Sequence, residues 1–246
     1  MPPVKVTIVT GGSRGIGAAT CRRLVASGHA VAVGYRNDAT AAKTVVDELT
    51  AKGGTAQAYA VETADSAQVA TLFARVAEDL GPVTGLVNNA GVGSRIGPFV
   101  DLADDDLRRV IEVNVVGAIF CAREAARRMT GGGAIVNISS AAATLGAPFE
   151  YPHYAASKAA IDALTVGLSK ELGPSGIRVN TVQPGIIYTD FHGTQSGEAG
   201  RPDRLGPSSP LGRSGQPDEV AAAIAWLLSD DASYVTGATI RVAGGR

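Results

Sequence analysis

Residues 4–17 read VKVTIVTGGSRGIG, an apolar run followed by a glycine-rich turn. The β-branched residues from Val4 to Thr10 predict a fully buried strand. An apolar period typical of a helix then runs from Ile16 to Val25. Glycines between the two elements allow positive φ and let backbone N–H groups approach an anion, at which the helix also points its positive end. This order predicts an α/β fold that binds a nucleotide phosphate where the first strand ends.

The glycine spacing of this turn is G-x3-G-x-G, which departs from the general G-x-G-x-x-G pattern of dinucleotide-binding folds. Tight packing of a strand against a helix is the alternative explanation for such glycines. The strand before the turn and the helix after it favour nucleotide binding.

Strand and helix patterns alternate along the rest of the chain. The predicted strands are Val4–Thr10, Ala30–Gly34, Ala56–Val61, one containing Leu86 and Val87, Ala134–Ser139, Arg178–Val182 and Thr239–Val242. The predicted helices are Ile16–Val25, Ala41–Ala51, Ser66–Leu80, Leu102–Met129, one from Tyr154 to about Leu172, and Asp218–Leu228. This alternation predicts a single α/β domain over residues 1–246, a doubly wound parallel sheet of about seven strands with helices on both faces. Residues 190–215 are rich in Gly, Pro and Ser and predict a mobile loop at the substrate.

Composition excludes several classes of function. The formal net charge is -1 and no segment is rich in Lys and Arg, so neither a nucleic acid nor an anionic membrane is an expected partner. No signal peptide or membrane-spanning run is apparent, and Cys21 and Cys121 stand alone, so we expect a cytoplasmic protein with buried, reduced cysteines. No His, Cys, Asp or Glu cluster has ligand spacing, which predicts no catalytic metal.

Tyr154 and Lys158 are four residues apart and share one face of the predicted helix. A tyrosine titrates near ~10, and a fixed cation beside it stabilises the phenolate. Bringing its pKa close to neutrality requires about 4 kcal/mol, which one lysine plus a helix end or a cationic cofactor ring can supply. The pair therefore indicates a proton donor and acceptor. An ordinary amphipathic helix with a solvated lysine is the alternative.

Residues at the end of the second strand determine whether such a fold prefers NAD or NADP. An acidic residue at this point binds the ribose 2′-hydroxyl of NAD, but the chain has Tyr35, Arg36 and Asn37 before its first carboxylate, Asp38. Arg36 and Arg14 instead predict a clamp for a 2′-phosphate, because the planar guanidinium suits that group. NADP is therefore the expected cofactor, with NAD as the alternative.

With these motifs placed, the chain resembles the short-chain dehydrogenase/reductase family over almost its whole length. The motifs that match are Thr10-Gly11-(x3)-Gly15-Ile16-Gly17, Asn88-Asn89-Ala90-Gly91, Asn114, Ser139-Ser140, Tyr154-(x3)-Lys158, and Asn180 through Pro184-Gly185 to Thr189. The resemblance implies an oxidoreductase that moves a hydride between NADP(H) and a secondary alcohol or carbonyl compound. Members most like this chain are bacterial proteins of the glucose 1-dehydrogenase and 3-oxoacyl-carrier-protein reductase kinds.

The resemblance implies a role for each matching residue. Tyr154 is the general acid/base, Lys158 lowers its pKa and binds the nicotinamide ribose, and Ser140 binds the substrate oxygen. Asn114, at a break in the long helix, holds a water of the proton relay. Contacts to the cofactor are implied for Gly11, Ser13, Arg14, Gly15, Ile16, Gly17, Tyr35, Arg36, Glu62, Thr63, Asn89, Ala90, Gly91, Tyr154, Lys158, Pro184, Gly185, Ile187 and Thr189. A homotetramer packed through the two long helices is implied as well.

Three departures from the family pattern leave questions open. One extra residue before the catalytic tyrosine leaves a choice between Ser139 and Ser140, of which Ser140 is preferred. Glu62 replaces an aspartate that usually contacts adenine, and Tyr188 faces either the substrate or the protein.

Two other functions stay open: a nucleotide-binding regulatory protein without turnover, and an NAD-dependent sugar dehydrogenase. For the remaining side chains, the sequence favours a surface position for His153, with a contact to the substrate as the alternative, and a core position for Trp226.

Overall fold

Seven strands pair side by side in one parallel sheet. The computed structural model describes residues 4–246, and its strands are β1 Val6–Val9, β2 Ala30–Tyr35, β3 Ala56–Ala60, β4 Val83–Asn88, β5 Gly133–Ile138, β6 Ile177–Pro184 and β7 Thr239–Val242. Their order across the sheet is β3-β2-β1-β4-β5-β6-β7, and all neighbours run parallel. The predicted doubly wound sheet is confirmed.

Helices cover both faces of this sheet. They are α1 Gly15–Ala26, α2 Ala39–Ala51, α3 Ser66–Asp79, α4 Asp104–Ile111, α5 Ala118–Arg128, α6 Ala142–Leu145, α7 Pro152–Leu172, α8 Phe191–Thr194, α9 Arg201–Leu205 and α10 Pro217–Leu228. One apolar core joins the sheet to α1, α2 and α10, and a second joins it to α3, α5 and α7. Cys21 lies in the first core and Cys121 in the second, both free, and burial raises the pKa of each thiol to about 12. In residues 4–246 no helix is both long and apolar enough to cross a bilayer.

The long helix predicted from Leu102 to Met129 is not continuous. It begins at Asp104, and a π-helical segment over Glu112–Gly117 separates α4 from α5. Such segments often occur at functional sites, and this one contains Asn114. Apolar periodicity alone cannot reveal it, because one extra residue in a turn hardly disturbs the pattern of buried side chains.

Two smaller predictions also need correction. Trp226 is 40% exposed and is not a core residue, because the buried stripe of α10 passes through its neighbours Ile224 and Leu227. Residues 190–215, predicted as a loop, contain the short helices α8 and α9.

The order of strands also determines where a ligand binds. The chain winds outward from β1 toward β3 on one side, and from β4 toward β7 on the other. Between β1 and β4 the connecting segments therefore separate, leaving a crevice at the carboxyl ends of the strands.

Candidate active site

A cleft of about 820 Å³ opens at this crevice. It runs from the glycine turn after β1, past the carboxyl ends of β4 and β5, to α8 and α9. All residues predicted to contact the cofactor line it, as do Ser140, Tyr154 and Lys158. The fold thus places segments that are far apart in sequence around one cleft.

The glycine turn is held by backbone geometry and by one asparagine. Gly11 and Gly15 have φ of +63° and +52°, and a Cβ on Gly17 would lie 2.1 Å from the Gly11 carbonyl oxygen. Asn89, at the end of β4, donates through Nδ2 to the carbonyl oxygens of Thr10 and Gly11, each at 2.9 Å. The Asn89 side chain therefore fixes the turn. The backbone N–H of Asn89 donates to Thr10 Oγ1 at 3.1 Å, so Oδ1 and the backbone carbonyl oxygen are the atoms left for its predicted contact with a cofactor.

Helix α1 begins at this turn without a capping side chain. Arg14 is its N-cap residue and makes no side-chain cap bond, and the first turn of the helix has no acidic residue. The free N–H groups and the positive end of the helix dipole therefore remain available to an anion in the cleft.

Arg36, at the ribose end of the cleft, is already paired. Its Nε lies 2.6 Å from Glu62 Oε2, and its side chain is 47% exposed. Asp38, the first carboxylate after β2, accepts a hydrogen bond from the Ala41 N–H at 2.9 Å and so caps α2. Arg36 and Glu62 thus form an ion pair at this point, and Arg14, the other predicted member of the clamp, also lines the cleft.

Tyr154 and Lys158 both project into the cleft from the first turns of α7. Lys158 Nζ donates to the Ile138 carbonyl oxygen at 2.9 Å and lies 5.7 Å from the centre of the Tyr154 ring. Burial raises the pKa of Tyr154, reinforced by Tyr151 and opposed by a hydrogen bond with Ser140. Burial lowers the pKa of Lys158 to about 8, opposed by Asp162.

The lowering of the Tyr154 pKa that the sequence predicts is therefore absent from the protein alone. Burial disfavours the charged form of both groups, and the lysine, 5.7 Å from the centre of the tyrosine ring, does not offset this effect on the Tyr154 pKa.

The two serines after β5 have different surroundings. Ser139 is 2% exposed, and its hydroxyl donates to the Lys158 carbonyl oxygen at 2.9 Å, which joins β5 to α7. Ser140 is less buried, and its hydroxyl accepts a bond from the Ala142 N–H at 3.1 Å. Of the two, Ser140 is the hydroxyl near Tyr154.

Asn114 lies behind the cleft in the π-helical segment and is buried. Its Oδ1 accepts from Val92 N–H at 2.8 Å, while Nδ2 donates to the Val92 carbonyl oxygen at 2.9 Å and to Ser157 Oγ at 3.1 Å. Both hydrogens of the amide and one lone pair of Oδ1 are engaged, so the backbone carbonyl and the second lone pair of Oδ1 are the acceptors left for a water.

Aromatic rings form the far end of the cleft. The Tyr154 ring lies 5.2 Å from that of Tyr151 and 5.8 Å from that of Phe191. Sequence reasoning missed Tyr151 and left Phe191 without a role. The aromatic segment around residues 149–154 was a signal for the former, whereas nothing in the sequence indicates that α8 turns Phe191 back onto Tyr154.

His153 is buried, so the predicted surface position is wrong. Its Nε2 lies 2.8 Å from the Ser94 hydroxyl. His153 and Tyr154 do point in different directions from the helix, as expected of neighbours, but the loop after β4 covers the histidine.

Comparison with known proteins agrees with this geometry. The family model described as enoyl-(acyl carrier protein) reductase matches residues 11–246. The chain is 48% identical over 246 residues to the uncharacterised oxidoreductase YgfF of Escherichia coli, covering 98% of this chain and 99% of the relative. The chain belongs to the short-chain dehydrogenase/reductase family. It is therefore an oxidoreductase, as the sequence predicted.

Two further members of this family show the range of relatives. L-rhamnose 1-dehydrogenase (NAD(P)(+)) of Azotobacter vinelandii is 38% identical over 247 residues, covering 98% of this chain and 96% of the relative. A crystal structure of a short-chain dehydrogenase from Burkholderia cenocepacia in complex with NADP is 39% identical, with a TM-score of 0.91 and coverage of 98% and 97%.

No group of three or more His, Cys, Asp or Glu side chains in the described part of the chain is arranged to hold a metal ion.

Proposed function

We propose that this protein interconverts a secondary alcohol and a carbonyl compound with NADP(H), using Tyr154 as the general acid/base. The observation that carries the proposal is that Tyr154, Lys158 and Ser140 line the same cleft as the glycine turn. A dinucleotide suits this cleft, because its volume is about 820 Å³ and the N-terminus of α1 that faces it has neither a capping side chain nor an acidic residue in its first turn. When bound, the cofactor supplies or accepts the hydride.

The protein itself supplies orientation and one proton. A raised pKa keeps Tyr154 protonated at neutral pH, so that it can donate to the oxygen of a carbonyl as negative charge develops there. Ser140 donates a second hydrogen bond to the same oxygen. The Lys158 ammonium, held by the Ile138 carbonyl, favours the tyrosinate that remains. This state of the free protein suits reduction, and oxidation requires an additional positive charge in the cleft.

NADP is the proposed cofactor because Arg36 is the cation nearest the end of β2 and Asp38 is engaged as a helix cap. A 2′-phosphate would draw Arg36 away from Glu62. NAD remains the alternative, since Glu62 is a carboxylate at the same end of the cleft and a relative is named for both cofactors.

Replacing Tyr154 by phenylalanine tests the reaction. Tyr154→Phe removes the proton and keeps the ring, so turnover should fall by about 100-fold or more. NADPH affinity, measured by fluorescence titration, should stay within about threefold because the glycine turn is untouched. Turnover is measured on a panel of carbonyl compounds through the loss of NADPH absorbance. A variant that turns over as fast as the wild type would overturn the mechanism. A wild type that binds NADPH but reduces no carbonyl would favour a regulatory nucleotide-binding protein.

We also propose a homotetramer. Leu107, Ile111, Ile119 and Val166 on α4, α5 and α7 are each more than a third exposed, and their burial against other copies would remove apolar surface from water. Sedimentation of the purified protein should give a mass near four chains. A monomer at micromolar concentration would contradict the assembly.

A further inference from the structure

Buried polar atoms without partners are concentrated at the substrate end of the cleft. Among residues 4–246, four buried side-chain N or O atoms lack a hydrogen bond: His192 Nδ1, Arg201 Nε, Arg201 Nη1 and Asp162 Oδ1. The first three belong to two residues that line the cleft. Because buried polar groups in folded proteins are nearly always satisfied, such a group calls for an explanation.

His192 presents a bare acceptor. Its Nε2 lies 3.1 Å from the Ile187 carbonyl oxygen, which can only accept, so Nε2 carries the hydrogen. Burial lowers the pKa of His192, and the positive charge of Arg201 acts in the same direction. The ring is therefore neutral, and Nδ1 has a lone pair without a donor.

Arg201 presents one side-chain donor, Nε, that has no acceptor, and its positive charge is already balanced by two carboxylates. Its side chain is 3% exposed, its Nη2 lies 2.5 Å from Glu150 Oε2, and its Nη1 lies 3.6 Å from Glu198 Oε2. The Tyr151 ring, whose centre lies 5.5 Å from Arg201 Cζ, also stabilises the positive charge of the guanidinium. The negative charges of Glu150 and Glu198 would repel a carboxylate ligand placed here, whereas they would not repel an uncharged hydroxyl group.

The backbone holds the two residues together. Glu198 N–H donates to the His192 carbonyl oxygen at 2.8 Å, and Arg201 N–H donates to the Glu198 carbonyl oxygen at 3.2 Å. The backbone of Glu198 thus links His192, in α8, to Arg201, the first residue of α9.

We propose that Arg201 and His192 form a subsite for an uncharged hydroxyl group of the substrate. The hydroxyl oxygen accepts from Arg201 Nε–H, and its hydrogen is donated to His192 Nδ1. These atoms are closed off from solvent in the free protein, so binding of the hydroxyl requires the two side chains to open toward the cleft that they line. The inference rests on the proposed function and specifies its substrate: a carbonyl compound or alcohol with a second, neutral hydroxyl, packed against Tyr151 and Phe191.

Paired substrates test the subsite by kinetics. Straight-chain methyl ketones and their terminally hydroxylated counterparts differ only in the group that the subsite would bind. For at least one chain length, wild type should prefer the hydroxylated ketone in kcat/KM by about tenfold or more. His192→Phe should lower kcat/KM for that ketone about tenfold more than for its plain counterpart. Arg201→Met combined with Glu150→Gln, which keeps the charge balanced, should do the same. Equal rates for both members of every pair would refute the subsite while leaving the proposed function intact.

Nitrogen NMR of the histidines tests it without turnover. The chain has three histidines, His29, His153 and His192, so a His192→Gln sample assigns the His192 resonances. The Nδ1 resonance should move on addition of the preferred hydroxylated ketone with NADPH and stay in place with its plain counterpart. If Nδ1 already reports a hydrogen bond before ligand is added and does not move afterwards, an ordered water occupies the position and the proposal fails. A shift without any ketone reduction would retain the subsite and reject the proposed reaction.

Discussion

Replacing Lys158 by methionine should make the free protein more stable at neutral pH, although the lysine belongs to the proposed catalytic pair. Methionine has a similar length and no charge. Lys158 is 4% exposed, and burial lowers its pKa from 10.5 to about 8. The folded state therefore binds the lysine proton more weakly than the unfolded state does.

The sign of the effect follows from that difference. Below about pH 8 the lysine is charged in both states, and folding carries the full cost of burying the charge, about 3 kcal/mol. As pH rises from about 8 to 10.5, the folded lysine loses its proton first and the cost disappears. Lys158→Met removes that cost but also the hydrogen bond to the Ile138 carbonyl, worth about 1 kcal/mol. The net gain is about 2 kcal/mol at pH 7, and it becomes a loss of about 1 kcal/mol at high pH.

Urea unfolding of both proteins at a series of pH values between about 7 and 9.5 measures this difference, which should shrink by about 2 kcal/mol over the range. Lys170→Met, at an exposed position of the same helix, controls for the loss of a lysine and should change stability by less than about 0.5 kcal/mol. A Lys158→Met protein that is less stable than wild type at pH 7, or a difference that does not vary with pH, would refute the burial of a charged lysine.

Two further predictions concern the nucleotide end of the cleft. Arg36→Asp should weaken NADPH binding by about 10- to 150-fold through the lost charge-assisted bonds, and NADH binding by less than about threefold. Fluorescence titration with each cofactor measures both, Arg36→Lys serves as the charge-retaining control, and equal losses would refute the 2′-phosphate clamp. Gly17→Ala should abolish cofactor binding or folding, because its Cβ would lie 2.1 Å from a backbone oxygen. Gly167→Ala, where a Cβ meets nothing within 4 Å, should instead stabilise α7 by about 0.5–1 kcal/mol in thermal unfolding, and equal effects of the two changes would contradict the packing.

The nucleotide end of the cleft could be predicted from sequence because backbone requirements determine it. Positive φ at Gly11 and Gly15 and the close approach at Gly17 require glycine at those positions. The same is true of Tyr154 and Lys158, whose spacing on a helix is sufficient to place them on one face. In each case the pattern lies within about ten consecutive residues and can be recognised from their spacing alone.

The substrate end could not be predicted, because its contacts join segments that are distant in sequence. Glu150 and Arg201 are 51 residues apart, and Ser94 and His153 are 59 residues apart. The sequence does not indicate that Arg201 is buried. Its burial depends on the packing of α9 against Glu150, in the segment before α7. The substrate end can therefore change by single substitutions that leave the glycine turn and the Tyr154 helix intact, so relatives that share the motifs need not share a substrate. For this chain, the unsatisfied atoms of His192 and Arg201 consequently carry more information about the substrate than overall identity to any relative does.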